Sequence, residues 1–327
     1  MNKKTSLLAA CVLGAFALSV LPAVAHAVEG KSRVRVKYSV KSSAHKSPRV
    51  HRVHPAHRVA SARHHEEPVT INGSPNLKSS AALIVDVADG NTIYGKNTQN
   101  KSPIASITKL MTSMVVLDAN LPPEETIFID AADYDSIKHT ASRLGMGTGL
   151  PRRDMLRLAL MSSENRAANS LSRAYPGGTP AFVAAMNRKA VELGMRHTKF
   201  VDPTGLSSEN VSTAEDLVKM VRGAYEYPLI REFTTTSAHG VETANGRSLQ
   251  FRNSNGLVRD SNSTWDIGLS KTGYISEAGR CLVMQARIAA RPVIIILLDS
   301  LGKQTRIGDA NRIKKWLETR IERKPVG

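Results

Sequence analysis

Strand-patterned segments at both ends of one long folded region are the strongest constraint on this chain. Residues 81–87 are an apolar run, Asp89-Gly90-Asn91 reads as a turn, and residues 92–94 read as its hairpin partner. Near the other end, residues 267–275, 280–288 and 293–299 read as three strands with tight connections. Short connections make neighbouring strands antiparallel. Between the two ends the apolar spacing is helical, over residues 107–117, 154–161, 165–175 and 180–193, with Gly194 as the last stop. Ser212 and Glu215 are spaced as a capping box for a further helix, and a closing helix runs over residues 306–321. This order predicts an α+β fold. One antiparallel sheet is assembled from both chain ends and covered by helices, with a mostly helical middle subdomain.

The first 77 residues differ in composition. Lys3 and Lys4 precede an uncharged stretch over residues 7–25, and Ala25-His26-Ala27 has small residues at the spacing of a signal-peptidase site. Residues 1–27 are therefore expected to be a signal peptide, which sends the protein to the periplasm. The rival is a retained anchor, and Pro22 together with the cleavage site weighs against it. Residues 28–77 carry ten Lys and Arg against three Glu, a net of +7, and six of the ten histidines. Large apolar residues are too sparse there for a core, so this segment is expected to be a disordered linker. Its positive charge over residues 31–65 suits loose contact with an anionic wall polymer or lipid head groups. The histidines lack ligand spacing, and the arginines among them would repel a cation. An exported chain has no nucleic acid to bind.

One cysteine, Cys281, follows the signal segment. It lies in an apolar alternation and reads as a buried structural residue in a domain without an internal disulfide.

Three short patterns carry chemistry. Ser106 and Lys109 stand three apart at the start of an apolar helix, where hydroxyl and amine share one face. Free N–H groups at that helix start favour developing negative charge. A lysine buried on such a helix has its charged form disfavoured and can act as a base. The plain alternative is a capping serine beside a snorkelling lysine. A second Ser-x-x-Lys, at Ser43 and Lys46, falls in the basic segment and has no such setting. Ser163-Glu164-Asn165 sits at a corner between two helices, a rigid place for a hydroxyl and an amide. The duplicate Ser208-Glu209-Asn210 reads as surface loop. Lys271-Thr272-Gly273 lies on a strand, where Gly273 permits close approach and Lys271 and Thr272 can meet a carboxylate.

In this order the three patterns resemble the signatures of penicillin-binding proteins and serine β-lactamases. The phrases around Ser106 and at Asp202-Pro203-Thr204-Gly205-Leu206 look like the low-molecular-mass D-alanyl-D-alanine peptidases, and within them the penicillin-binding protein 7-like endopeptidases. The resemblance covers residues 78–323, the expected catalytic domain, and implies a β-lactamase/transpeptidase-like fold. It also implies roles. Ser106 attacks the D-Ala carbonyl, Lys109 takes its proton, and Ser163 and Asn165 relay protons and hold the substrate amide. Lys271 and Thr272 orient the substrate carboxylate beside Gly273, and Arg306 adds a charge for it. The N–H groups of Ser106 and Tyr274 form the oxyanion hole. No metal or other cofactor is implied. The expected activity is endopeptidase cleavage of D-alanyl cross-links between peptidoglycan stem peptides, with β-lactam antibiotics as covalent inhibitors. Trimming of stem peptides as a carboxypeptidase is the near alternative. The 54 residues after Gly273 are taken up by strands and a helix, a length that suits the endopeptidase branch. Residues 195–205 lack the glutamate run that a class A β-lactamase uses to activate water, so bound penicillin is expected to leave slowly. A non-catalytic wall-binding module would lack nucleophile or base, and here both are present.

Overall fold

Alternation of apolar side chains builds the central sheet. The structure, a computed structural model, describes residues 73–322, with side chains through 320. The expected signal peptide and the linker up to residue 72 lie outside the described residues. Strands β1 (Ala81–Asp86) and β2 (Thr92–Lys96) form the first hairpin. Helices α1 (Lys109–Asp118), α2 (Arg152–Met161), α3 (Asn165–Arg173) and α4 (Gly178–Glu192) follow, then α5 (Ala214–Tyr225) and α6 (Pro228–Thr235). A hairpin of β3 (Ala238–Glu242) and β4 (Ser248–Arg252) precedes the long strands β5 (Asp266–Ile275), β6 (Gly279–Ile288) and β7 (Arg291–Ser300). Helix α7 (Thr305–Glu322) closes the fold.

The main sheet has the order β2-β1-β7-β6-β5, with every pairing antiparallel. Strands from both ends of the folded region are thus neighbours, as the element order predicted. Both faces are covered, so β1 is buried at every position. Leu83, Val85, Ile294 and Ile296 face the helical subdomain, whereas Ala82, Ile84, Ile295 and Leu297 pack under Trp316 and Leu317 of α7. Period-two alternation sorts these side chains into two cores. Strand β5 is left at the sheet edge, and the helical subdomain stands beside it.

The structure departs from the sequence reading in several places. Packing begins slightly before residue 78. Leu77 is buried, and the Trp316 indole N–H donates to the Gly73 carbonyl at 2.8 Å. The cap of α5 is Thr213, not Ser212, and its hydroxyl accepts from Asp216 N. Ser212 pairs with Ser102 in a short ladder and shares a hydrogen with Thr198, so it is not available as a cap. Asn210 is fully buried although its loop read as surface. Its side chain accepts from Val201 N and donates to the Thr108 hydroxyl, holding the 201–210 loop against the start of α1. Helix α6 and the β3–β4 hairpin were not anticipated. Pro228 at the first turn and the Asn245-Gly246 turn between Val241, Leu249 and Phe251 are the signals that mark them.

Candidate active site

Ser106 lies in a 3-10 turn, Ala105–Thr108, that leads into α1, rather than on the α-helix itself. A 3-10 turn eclipses residues three apart, bringing the pair closer than an α-helical turn would. Lys109 Nζ is 2.8 Å from Ser106 Oγ. Lys109 to Val116 are all buried, so the lysine cannot reach bulk water by snorkelling. Its ammonium finds two other acceptors, Asn165 Oδ1 at 2.7 Å and the Thr204 carbonyl at 2.8 Å. Burial pushes the Lys109 pKa from its usual 10.5 down to about 7, against the pull of Asp202, Glu164 and Asp135. The three partners define what the neutral amine does. It has two hydrogens and one lone pair, and Asn165 Oδ1 and Thr204 O can only accept. Both hydrogens go to them, and the lone pair faces the Ser106 hydroxyl.

The Thr204 carbonyl is delivered by the Asp202–Leu206 phrase. Asp202 Oδ1 accepts from Thr204 N, Thr204 Oγ1 and Gly205 N, at 2.6, 2.6 and 2.7 Å, and Oδ2 accepts from Ser207 N at 3.0 Å. Gly205 has φ +81° and lies against the carbonyl of Ala105, where an added Cβ would be 1.9 Å away. No other residue permits that backbone approach.

Ser163 occupies the corner between α2 and α3 with φ +65°, and Ala105, just before Ser106, has φ +48°. Non-glycine residues in this region are held there at a cost of about 1–3 kcal/mol. Ala105 directly precedes Ser106, and Ser163 itself carries a hydroxyl that faces the cleft. Lys271, on β5, is buried and donates to Ser163 Oγ at 2.9 Å and to the Thr272 carbonyl at 2.9 Å. Burial, then repulsion from Lys109 and Arg306, sets its pKa well below the usual lysine value. Because Ser163 Oγ accepts from Lys271, its own proton is free to point into the cleft. Thr272 Oγ1 donates to Ser254 Oγ at 2.7 Å. A Cβ on Gly273 would lie 3.1 Å from Ser106 N and 2.9 Å from the Ile104 carbonyl, so β5 abuts the serine turn. Tyr274 is exposed at the rim, under the Arg280 guanidinium. The Arg306 guanidinium is 3.3 Å from the Gly273 carbonyl, and burial lowers its pKa.

These groups line one cleft of about 470 Å³ between the sheet edge and the helical subdomain. Ser106, Ser163, Asn165, Thr272, Gly273 and Tyr274 reach its wall, and Arg306 closes one side. Lys109 and Lys271 stand behind their serines. The Arg306 guanidinium gives the cleft a positive wall, which suits an anionic ligand. Among the described residues, no group of three His, Cys, Asp or Glu is placed to hold a metal ion, and no helix is long and apolar enough to cross a membrane. Sequence reasoning missed Thr140, Ser254 and Lys138, which also line the cleft. They are single polar residues in irregular segments, with no local pattern to mark them.

A family model described as D-alanyl-D-alanine carboxypeptidase matches residues 68–302. The chain belongs to that family. Within it, the D-alanyl-D-alanine endopeptidase of Pseudomonas aeruginosa is 49% identical over 244 residues, 74% of this chain and 78% of that protein. The D-alanyl-D-alanine endopeptidase of Escherichia coli is 47% identical, covering 76% of this chain and 80% of that protein. The crystal structure of a Streptomyces DD-transpeptidase superposes with a TM-score of 0.68 at 28% identity, covering 74% of this chain and 97% of that one. The fold is therefore of the penicillin-binding, transpeptidase-like type, as the sequence order and its three motifs implied. The chain is a family member of the penicillin-binding protein 7-like kind.

Proposed function

We propose that this protein is a serine hydrolase that cuts D-alanyl peptide cross-links in peptidoglycan through an acyl-enzyme. The observation that carries this reading is the geometry of the buried Lys109 amine, with two fixed acceptors and its remaining valence aimed at Ser106, and burial lets it give up its proton at about pH 7. Ser106 Oγ attacks the D-Ala carbonyl carbon as its proton passes to Lys109. The oxyanion sits between the N–H groups of Ser106 and Tyr274, a contact of the kind worth about 3–4 kcal/mol. The peptide C–N bond then breaks, and the proton taken up by Lys109 passes to the leaving amine through Ser163, whose oxygen is held by Lys271, which returns Lys109 to its neutral form. Water cleaves the Ser106 ester, restoring the hydroxyl. Asn165 holds the substrate amide. Lys271, Thr272 and Arg306 supply the field and donors for a substrate carboxylate.

Endopeptidase action is preferred to carboxypeptidase action because the relatives at 47–49% identity are endopeptidases. Both reactions share the acylation and differ in the leaving group. Penicillin enters as a carboxylate-bearing mimic and is released slowly. The nearby Asp202 carboxylate is occupied by four hydrogen bonds and is not free to activate water. The protein is exported to the periplasm, where residues 31–65 tether the domain or bind anionic polymer or lipid loosely.

Digestion of purified cross-linked wall peptides, followed by mass analysis, tests the reading. Monomeric stems released from dimers mean endopeptidase, whereas loss of a single terminal alanine means carboxypeptidase. Ser106→Ala abolishes hydrolysis and covalent penicillin labelling while wall binding persists. Residual labelling at another serine refutes the assignment.

A further inference from the structure

Asn165 has to offer Lys109 its oxygen and not its amide nitrogen, yet the two ends of that side chain have nearly the same shape. The groups that break the symmetry lie on the irregular segment 134–147, outside the three motifs. Asp135 accepts from Ile137 N and Lys138 N through Oδ1, at 2.8 and 2.9 Å. Its Oδ2 accepts from Thr140 N at 2.8 Å and Thr140 Oγ1 at 2.7 Å. Partial burial raises its pKa, but these donors outweigh it and leave the pKa below the ordinary value. An ionised carboxylate accepts only. The single hydroxyl proton of Thr140 is therefore committed to Asp135, and Thr140 can offer Asn165 only a lone pair. Asn165 Nδ2 donates to Thr140 Oγ1 at 2.9 Å. The other end of the amide, 2.7 Å from Lys109 Nζ, must then be the oxygen.

We propose that Asp135 and Thr140 are positioning residues: they fix which way the Asn165 amide faces and so aim the Lys109 lone pair at Ser106. The inference rests on the acyl-enzyme reading above. With the amide reversed, N–H donors would confront Lys109. The neutral amine would turn its lone pair toward them and away from the serine.

The segment has other anchors, so the relay is not what holds it in place. Ser142 Oγ donates to Glu164 Oε2 at 2.6 Å, Arg166 donates to the Leu144 carbonyl at 2.7 Å, and Lys138 pairs with Glu277 at 2.5 Å. Variants at 135 and 140 should therefore fold. The charges that act on Lys109 from the surrounding elements are Asp135, Glu164 and Asp202, with Lys271 opposite.

The test is the rate of acylation by a fluorescent penicillin, measured against pH, in the full chain carrying Thr140→Ser, Thr140→Val or Asp135→Asn. Thermal unfolding is followed alongside. Valine keeps the volume and removes the lone pair. Asparagine at 135 can donate to Thr140, which frees the hydroxyl proton to point at Asn165 and favours the reversed amide. Thr140→Val and Asp135→Asn should each slow acylation by roughly tenfold or more, the scale of one lost hydrogen bond. Their pH–rate limb should move to lower pH, because the Lys109 ammonium loses an acceptor and, in Asp135→Asn, a neighbouring negative charge as well, so the limb of Thr140→Val is the one that reports the amide alone. Thr140→Ser should recover most of the rate. If Thr140→Val acylates within about twofold of Thr140→Ser with an unmoved limb, or Asp135→Asn acylates at the wild-type rate, the relay is wrong. The two readings separate cleanly. Failure to cut cross-linked dimers, with penicillin labelling of Ser106 intact, would overturn the proposed substrate, whereas the labelling rates alone judge the relay.

Discussion

Replacing Gly205 by alanine should damage the active site from behind. The added Cβ would lie 1.9 Å from the Ala105 oxygen and 2.3 Å from its carbon, where ordinary contact begins at 3.4 Å. The neighbour is backbone, held at φ +48° and joined directly to Ser106, so no side chain can swing aside. The loop and the serine turn must part by about 1.5 Å, the difference between those two distances. Thr204, one residue earlier, would carry its carbonyl out of hydrogen-bond reach of Lys109. Forcing alanine to a left-handed φ costs about 1–2 kcal/mol and overpacking about 1–3, so roughly 2–5 kcal/mol of stability is lost. For a domain of this size that lowers the unfolding midpoint by roughly 4–20 °C. Acylation by penicillin, measured well below the midpoint, should slow on the order of 10²-fold, the usual consequence of misplacing a catalytic group by about 1 Å. Gly194→Ala is the control. Gly194 has φ +71° with nothing within 4 Å of an added Cβ, so it bears only the backbone cost and leaves acylation alone. If Gly205→Ala loses no more than Gly194→Ala in both assays, the close-approach argument is refuted.

Three further outcomes follow from groups away from the reacting atoms or from their titration. Asp309 is fully buried and accepts from Lys78 N, Ser79 N and Ser79 Oγ, joining α7 to the start of the sheet. Asp309→Ala should cost about 2–4 kcal/mol in denaturant unfolding, with native acylation unchanged, and unaltered stability would contradict it. Burial pushes the Cys281 thiol up to about 11, so a thiol reagent should modify it only as the protein unfolds, as peptide mapping can show. Lys109 binds fewer protons folded than unfolded between about pH 7 and 10.5, so its burial penalty is full below 7 and is relieved as pH rises through that window. Lys109→Met should flatten this part of the stability–pH curve, read from urea midpoints.

Legibility in the sequence tracked how local each physical cause was. The five-stranded sheet followed from short apolar runs and tight connections, because residues 81–87 and 293–299 are apolar on both faces of the sheet they enter. Ser106 and Lys109 stood out because a lysine at the head of an apolar helix conflicts with burial unless it has a task. Lys271 stood out for the same reason on a strand. The 3-10 turn under Ser106 was not visible, since the backbone packed against it, at Gly205 and at Gly273 of β5, is distant in sequence. Asn210 looked like loop because its partners are Thr108, distant in sequence, and the 201–202 backbone across its own loop, which no local pattern marks. Thr140 and Ser254 were silent for a related reason. A single hydroxyl in an irregular segment has no period or spacing, and the partners that matter, Asn165 for Thr140 and Thr272 for Ser254, are distant in sequence.

The central claim is that a buried, uncharged Lys109 activates Ser106. The most direct measurement is the second-order rate of penicillin acylation across the pH range from about 5 to about 10. The account predicts a rate that rises with pH through about 7 as Lys109 gives up its proton, and that Lys109→Arg, which stays charged, loses nearly completely. A rate that is flat across this range, or that begins to climb only near the ordinary lysine value of 10.5, would contradict it.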